Sequence, residues 1–181
     1  MHSSPWIRDY MTNGVISVRK YHIGDALALY EAVNESSVEL TRWGFYHPFF
    51  TIQDAEKDVI SRITDWNEGK AYTFLIEMLP GPIFVGNCRV EEFEPEIYQA
   101  ALGWWVRTSR TRKGIATAAV RFVAQAAFED LHLSSLNIYA KVNNIPSRRV
   151  AEKVGAVLVR IKPEDDGSFC AVYELKPESL V

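Results

Sequence analysis

The amino-acid sequence predicts a mixed α/β fold on one mainly antiparallel sheet. It has seven strands and about four helices, in the order β-α-α-β-β-β-α-β-α-β-β. Three observations carry that prediction. Short segments of alternating apolar and polar residues recur along the chain, with the period of strands that bury one face. Three strand-like segments follow one another in the middle, joined by proline-, glycine- and glutamate-rich turns, which makes an antiparallel meander. An alanine-rich helix then separates two strands, and a crossover of that kind joins parallel neighbours.

Residues 15–20 (VISVRK) form the first strand by alternation. Residues 25–35 form a helix, with Ala26, Leu29, Tyr30 and Val33 on one stripe. The aromatic stretch SSVELTRWGFYHPFF fits no clear period, and Pro48 ends any helix within it. Thr51 is a helix N-cap with Asp54 in the capping-box position. Ala55, Val59, Ile60, Ile63 and Trp66 then mark a helical face, and Gly69 is its stop. The meander comprises 71–78, 84–92 and 99–106, with turns at Pro80-Gly81-Pro82 and Glu94-Pro95-Glu96. Residues 114–131 read as the longest helix, facing inward through Ile115, Ala119, Phe122, Ala126 and Phe128. A strand at 136–142, a short helix at 145–154 closed by Gly155, and a hairpin of 156–162 with 169–175 complete the chain.

The 181 residues read as a single domain, 1–181, with no repeat or linker and enough length for a substantial core. A net charge of −3 argues against general nucleic-acid binding, which needs a broad basic face. No apolar run approaches the roughly 20 residues of a membrane helix, and the start MHSSPWIRDY has no apolar leader core. Cys88 and Cys170 read as reduced thiols of a cytoplasmic protein. His2, His22, His47 and His132 are scattered and write no zinc motif, so no metal is expected. The oligomeric state stays open between monomer and homodimer.

The chemistry concentrates between Trp104 and Gly155. Arg107, Arg110, Arg112 and Lys113 precede Gly114 in an otherwise acidic protein. Helix-start amides beside positive charge make a site for a phosphate or pyrophosphate. Gly114 and Ala116 permit close approach of such a group. The alternative is a basic surface turn that caps a helix. Neither G-x-x-x-x-G-K-[ST] nor G-x-G-x-x-G occurs.

Thr111-Arg112-Lys113-Gly114-Ile115-Ala116 resembles the acetyl-CoA motif [Q/R]-x-x-G-x-[G/A] of the GCN5-related N-acetyltransferase (GNAT) superfamily, departing at Thr111. Asn144-Ile-Pro-Ser147, followed by Glu152-Lys153-Val-Gly155-Ala, is similar to that family's second signature. Val18-Arg19, Asp25-Ala26, Trp43, the Trp66 helix and Leu102-Gly103-Trp104-Trp105 resemble the branch that acetylates ribosomal-protein N-termini. That branch often carries a glutamate where this chain has Ala101.

The resemblance implies a sheet whose fourth and fifth strands splay apart. It implies that Arg112, Lys113, Gly114, Ile115, Ala116 and Thr117 cradle the pyrophosphate of acetyl-CoA. It implies that Trp104, Trp105 and Val106 hold the pantetheine arm through their backbone, and that Asn144 contacts the arm or caps the next helix. The two tryptophans alternate in direction, so at most one of them lines the acyl pocket. Transfer is direct in this family, so neither cysteine is needed as a nucleophile. The tyrosine that often protonates the leaving sulfur is missing from the 145–154 helix, and Ser147 is the remaining hydroxyl there. Glu92 is the candidate base, with Glu91 or a water relay as alternatives. Glu91, Glu92, Glu94 and Glu96 can instead form an acidic rim that attracts a cationic amine. His47 and Tyr46 border the acceptor side.

The sequence thus predicts an acetyl-CoA-dependent N-acetyltransferase whose acceptor is the N-terminal α-amine of a protein, with ribosomal protein the family suggestion. A small amine as acceptor, or a non-catalytic acyl-CoA-binding regulator, are the competing readings.

Overall fold

A computed structural model describes residues 6–181; His2 and the first half of the start read as leaderless lie outside the described residues. One eight-stranded sheet runs β1-β2-β3-β4-β5-β6-β8-β7 in space. Its strands are β1 (Tyr10–Thr12), β2 (Ile16–Lys20), β3 (Tyr72–Met78), β4 (Ile83–Glu94), β5 (Gln99–Val106), β6 (Ser135–Lys141), β7 (Val157–Pro163) and β8 (Phe169–Leu175). The helices are α1 (Ala26–Glu35), α2 (Ser37–Arg42), α3 (Ile52–Glu68), α4 (Ile115–Asp130) and α5 (Ile145–Lys153). All pairings are antiparallel except β5 with β6, the pair joined by the α4 crossover.

The expected order holds with two additions. β1 is three residues long and pairs only along an edge, too short to leave an alternation signal. The aromatic stretch opens with α2, one short helix with a single buried residue, Leu40, which is too little for a periodic stripe. The longest helix is α3, at 17 residues against 16 for α4. The β3–β4 and β4–β5 hairpins form the expected meander.

The sheet separates two apolar clusters. One gathers Ile115, Ala119, Val120, Val123 and Ala127 of α4 against β2–β6 and β8, with Trp104 among them. The other packs α1 and α3 against Leu75, Phe84 and Trp105. The buried face of α4 is mostly alanine and valine, and small side chains let a helix approach a sheet closely. Phe122 and Phe128 are only half-buried at its margin. On α3, Ile60 is 56% exposed, while Arg62 is buried in its place.

Candidate active site

The site begins where the sheet opens. β5 and β6 pair only through Gln99–Ser135, Ala100–Leu136 and Ala101–Asn137. Beyond those pairs β5 keeps its bonds to β4, and β6 keeps its bonds to β8. The facing edges therefore lose their ladder and border a cleft of about 440 Å³. This is the expected splay. Trp104, Glu92, Asn144 and Ser147 all line the cleft. So do Tyr139 and Lys141 of β6, and Trp43 and Phe45 of the loop after α2.

Asn144 and Ser147 are held by the start of α5. The Asn144 side-chain oxygen accepts the Ser147 backbone N–H at 3.3 Å, so Asn144 caps the helix as expected. Arg148 donates to the Val142 carbonyl at 3.0 Å and to the Tyr173 hydroxyl at 2.9 Å, and Tyr173 donates to Glu152 at 3.0 Å. These bonds clamp the helix start to the ends of β6 and β8, and so fix Ser147 at the cleft. α5 has no tyrosine, but Tyr139 brings a phenol to the cleft from β6, with the Lys162 ammonium 5.3 Å from its ring centre. Strand alternation puts Asn137, Tyr139 and Lys141 on one face. That signal was in the sequence, but it does not say that this face opens on the cleft. Lys141 is bound to Asp166 at 2.5 Å.

The basic turn stands beyond the end of β5 and does not line the cleft. Arg112 and Gly114 both have positive φ, 60° and 77°. A side chain at Gly114 would meet open space, so the left-handed backbone, and not crowding, is what calls for glycine there. The first intrahelical bond of α4 runs from Ala118 N–H to Gly114 C=O at 3.0 Å. The amides before it have no intrahelical acceptor by helix geometry. Arg112, Lys113 and Gly114 are exposed, Ala116 and Thr117 are half-buried, and Ile115 turns its side chain into the core. Arg107 leaves the predicted basic cluster. Its Nε lies 2.6 Å from Glu35 Oε2, and its Nη1 donates to the Phe84 carbonyl at 3.3 Å, so it ties β5 to α1.

The acidic end of β4 is not a regular strand end. Register shifts between Glu91 and Glu94, and Glu92 takes φ 54° in the resulting bulge. Glu92 is exposed at the cleft. Glu91 accepts from Arg89 Nε at 2.6 Å and lies directly across from Ala101. It therefore brings a carboxylate to the neighbour of the position where the resembling branch carries one. Trp104 lines the cleft, while Trp105 packs toward α1–α3 with its ring edge to Tyr46, their centres 6.0 Å apart. His47 is an exposed loop residue 3.6 Å from Asp54.

Beside the main cleft lies a second cavity of about 100 Å³. Phe45, Gly103 and Trp104 border both. Its floor includes Arg62, the residue on α3 that the apolar stripe did not foresee. Arg62 Nη2 donates to the Tyr46 hydroxyl and to Asp58, both at 2.8 Å. Burial opposes the Arg62 charge, but the Tyr46 and Tyr21 oxygens and the Asp58 carboxylate outweigh it and hold the guanidinium protonated. Burial pushes the Tyr21 phenol up to about 12 and Tyr46 higher still, so both are neutral hydroxyls at neutral pH.

Cys88 is fully buried and Cys170 borders the main cleft. Burial raises both thiols above their ordinary range, against thiolate chemistry at either. Among the described residues, no three His, Cys, Asp or Glu side chains gather as a metal site, and no helix is long and apolar enough to cross a membrane.

A family profile described as the acetyltransferase (GNAT) domain matches residues 16–157. The chain belongs to this acetyltransferase family. It is 30% identical over 145 residues to YdaF of Bacillus subtilis (strain 168), provisionally named a ribosomal N-acetyltransferase, covering 79% of this chain and 78% of that one. Its fold is that of Mycobacterium smegmatis RimJ, solved in complex with CoA-disulfide: TM-score 0.83, 23% identity, 96% of this chain and 88% of that one. The microcin C7 self-immunity acetyltransferase MccE, solved with acetyl-CoA and AMP, superposes with TM-score 0.81 at 20% identity, over 91% and 93% of the two chains.

Proposed function

We propose that this protein transfers the acetyl group of acetyl-CoA directly to the N-terminal α-amine of a protein, with a ribosomal protein as acceptor. The observation that carries the reading is the opened β5–β6 edge. A three-pair ladder gives way to a cleft bordered by unpaired strand edges, with Ser147 on its wall. An extended amide-bearing arm fits such an edge as a strand does, bonding to the backbone of Trp104, Trp105 and Val106. The turn from Arg112 to Thr117, exposed from Arg112 to Gly114, offers amides and two cationic side chains to a pyrophosphate. The name of YdaF supports the ribosomal acceptor, and the MccE and RimJ complexes support the CoA ligand.

The residues divide the work as follows. The amine nitrogen attacks the thioester carbonyl, forming C–N as C–S breaks. The amine proton leaves to Glu92, through water where the distance requires it. Ser147 supplies or relays a proton to the departing thiolate, with Tyr139 as the other hydroxyl on the same wall. Cys88 and Cys170 carry no acyl group, and the reaction proceeds in the cytoplasm on one domain.

The test is a panel of peptides with free N-termini, set against polyamines and aminoglycosides, each with acetyl-CoA. CoA release is followed together with the mass and position of the acetyl group. N-terminal acetylation of peptides is expected. Turnover of small amines alone refutes the acceptor assignment, and tight CoA binding without acceptor-dependent release refutes the enzyme reading.

A further inference from the structure

The link between β5 and the basic turn is gripped by the end of α1, a helix on the other side of the sheet from α4. Five consecutive amides of the link are bonded. Arg107 N–H donates to the Val85 carbonyl at 2.7 Å, Thr108 N–H to Ser36 Oγ at 3.0 Å and Ser109 N–H to Glu35 Oε1 at 3.2 Å. Arg110 and Thr111 donate back to the Arg107 and Thr108 carbonyls at 2.8 and 3.4 Å. The pattern then stops. Among the described residues, the N–H groups from Arg112 to Thr117 have no acceptor, and the next amide to find one is that of Ala118. Two of the five bonds go to side chains, and both side chains sit at one junction. Ser36, 2% exposed, closes α1 with its N–H and opens α2 with its carbonyl, which accepts the Leu40 N–H at 2.9 Å. Glu35 binds the Ser109 amide with one oxygen and lies 2.6 Å from Arg107 Nε with the other.

We propose that Glu35 and Ser36 are positioning residues for acetyl-CoA. They lock residues 107–109, so that the free amides of 112–117 are set for the pyrophosphate before it arrives. The inference rests on the pyrophosphate reading of the turn given above. Both residues act through the link and not on the ligand. Without them the link has to be ordered at the moment of binding, and that entropy is subtracted from the affinity. Charge alone would argue against a carboxylate here, because an anion beside a phosphate site opposes the ligand. The two oxygens of Glu35 each hold a different group of the link, which is the role that geometry assigns to it.

The experiment measures CoA affinity by calorimetry, well below the melting temperature, for the parent, Ser36→Ala, Glu35→Ala and Glu35→Gln. Ser36→Ala is expected to weaken CoA about three- to tenfold, and Glu35→Ala about tenfold, since each leaves an amide of the link without its acceptor. Glutamine keeps an oxygen for the Ser109 N–H, so Glu35→Gln is expected to stay within about threefold of the parent. Simple charge predicts the opposite sign: loss of the carboxylate frees Arg107 and tightens CoA. Glu35→Ala that binds as well as the parent or better therefore overturns the role of Glu35, and Glu35→Gln as weak as Glu35→Ala overturns the role of its bond to Ser109. Unchanged affinity in Ser36→Ala, even with a lower melting temperature, makes Ser36 merely structural and overturns its role. In turnover, KM for acetyl-CoA is expected to rise in step with the calorimetric loss while kcat at saturation stays within about twofold. A fall in kcat at constant KM overturns the positioning role. A parent that does not bind CoA overturns the pyrophosphate reading and the inference with it. Glu35 is exposed, so its variants decide the proposal even if Ser36→Ala, at a buried position, does not fold.

Discussion

Ser147 and Gly114 occupy positions that act at different moments of the proposed reaction. Ser147 sits on the cleft wall with its backbone fixed by Asn144. A proton donor to a leaving sulfur acts in the transition state, so its loss lowers kcat and leaves CoA binding nearly unchanged. For Ser147→Ala we expect a kcat loss near 10²-fold, the low end for general acid help (~10²–10⁴), because Tyr139 and water remain at the same wall. A variant that loses CoA affinity but keeps kcat would make Ser147 a cofactor-positioning group. Gly114 belongs to ground-state binding. Gly114→Asp puts a carboxylate into the open space beside the helix-start amides. CoA affinity by calorimetry should fall about tenfold or more, roughly 1.4 kcal/mol, with the melting curve still cooperative. Unchanged affinity removes the turn from the site.

At the scale of elements, α3 shows how local chemistry positions a side chain at the second cavity. Thr51 accepts the Asp54 N–H at 3.2 Å, and Asp54 accepts the Thr51 N–H at 2.9 Å, so aspartate closes the capping box usually drawn with glutamate or glutamine. The helix started there carries Arg62, one turn past its Asp58 partner, to the second cavity. Thr51→Ala is expected to cost about 1 kcal/mol, which for a chain of this size lowers Tm by roughly 2–4 °C. A melting temperature equal to the parent's would show that tertiary packing alone fixes the start of α3. Turnover is expected to change less than in Ser147→Ala, since Thr51 touches neither cavity.

Across the whole molecule, three carboxylates are held in ion pairs, half-buried Asp25 and Asp130 and exposed Glu35, and the pairs of Asp130 and Glu35 join distant segments. The Arg8 guanidinium hydrogen-bonds Asp130 and holds its carboxyl below the usual range. Burial pushes Asp25 up, but hydrogen bonds from Arg19 and the His22 backbone outweigh it and leave the carboxyl depressed. Burial likewise opposes Glu35, and bonds from Ser109 with the charge of Arg107 depress it. Each folded pKa lies below its unfolded value, so each group stabilises the fold above the unfolded pKa. That stability is lost as pH falls from about 4 through the folded values. The urea midpoint should therefore be flat from neutral pH to about 5 and drop below about 4. A midpoint still flat at about pH 3 refutes the assignment of these pairs as acid-labile ties.

Periodicity and turn chemistry were enough to locate the meander, the α4 crossover and the closing hairpin, because each is dictated by residues close in sequence. The same holds for the Asn144 cap, the Gly114 turn and the capping box of α3, whose partners lie within a few residues of one another. The GNAT resemblance rests on those same local motifs. Tertiary structure decided the rest. Where the β5–β6 ladder stops depends on two strands over thirty residues apart. Arg107 is drawn from the basic cluster by Glu35, 72 residues away in the chain. Arg62 is buried against the pattern of its own helix because Tyr46 and Asp58 meet it, and Tyr139, 43% exposed, reaches the cleft beyond the end of the β5–β6 ladder. Helix and strand periods record which side of an element is apolar. They do not record which polar groups from distant elements will meet in a low-dielectric interior, where pairing decides whether a charge can be buried.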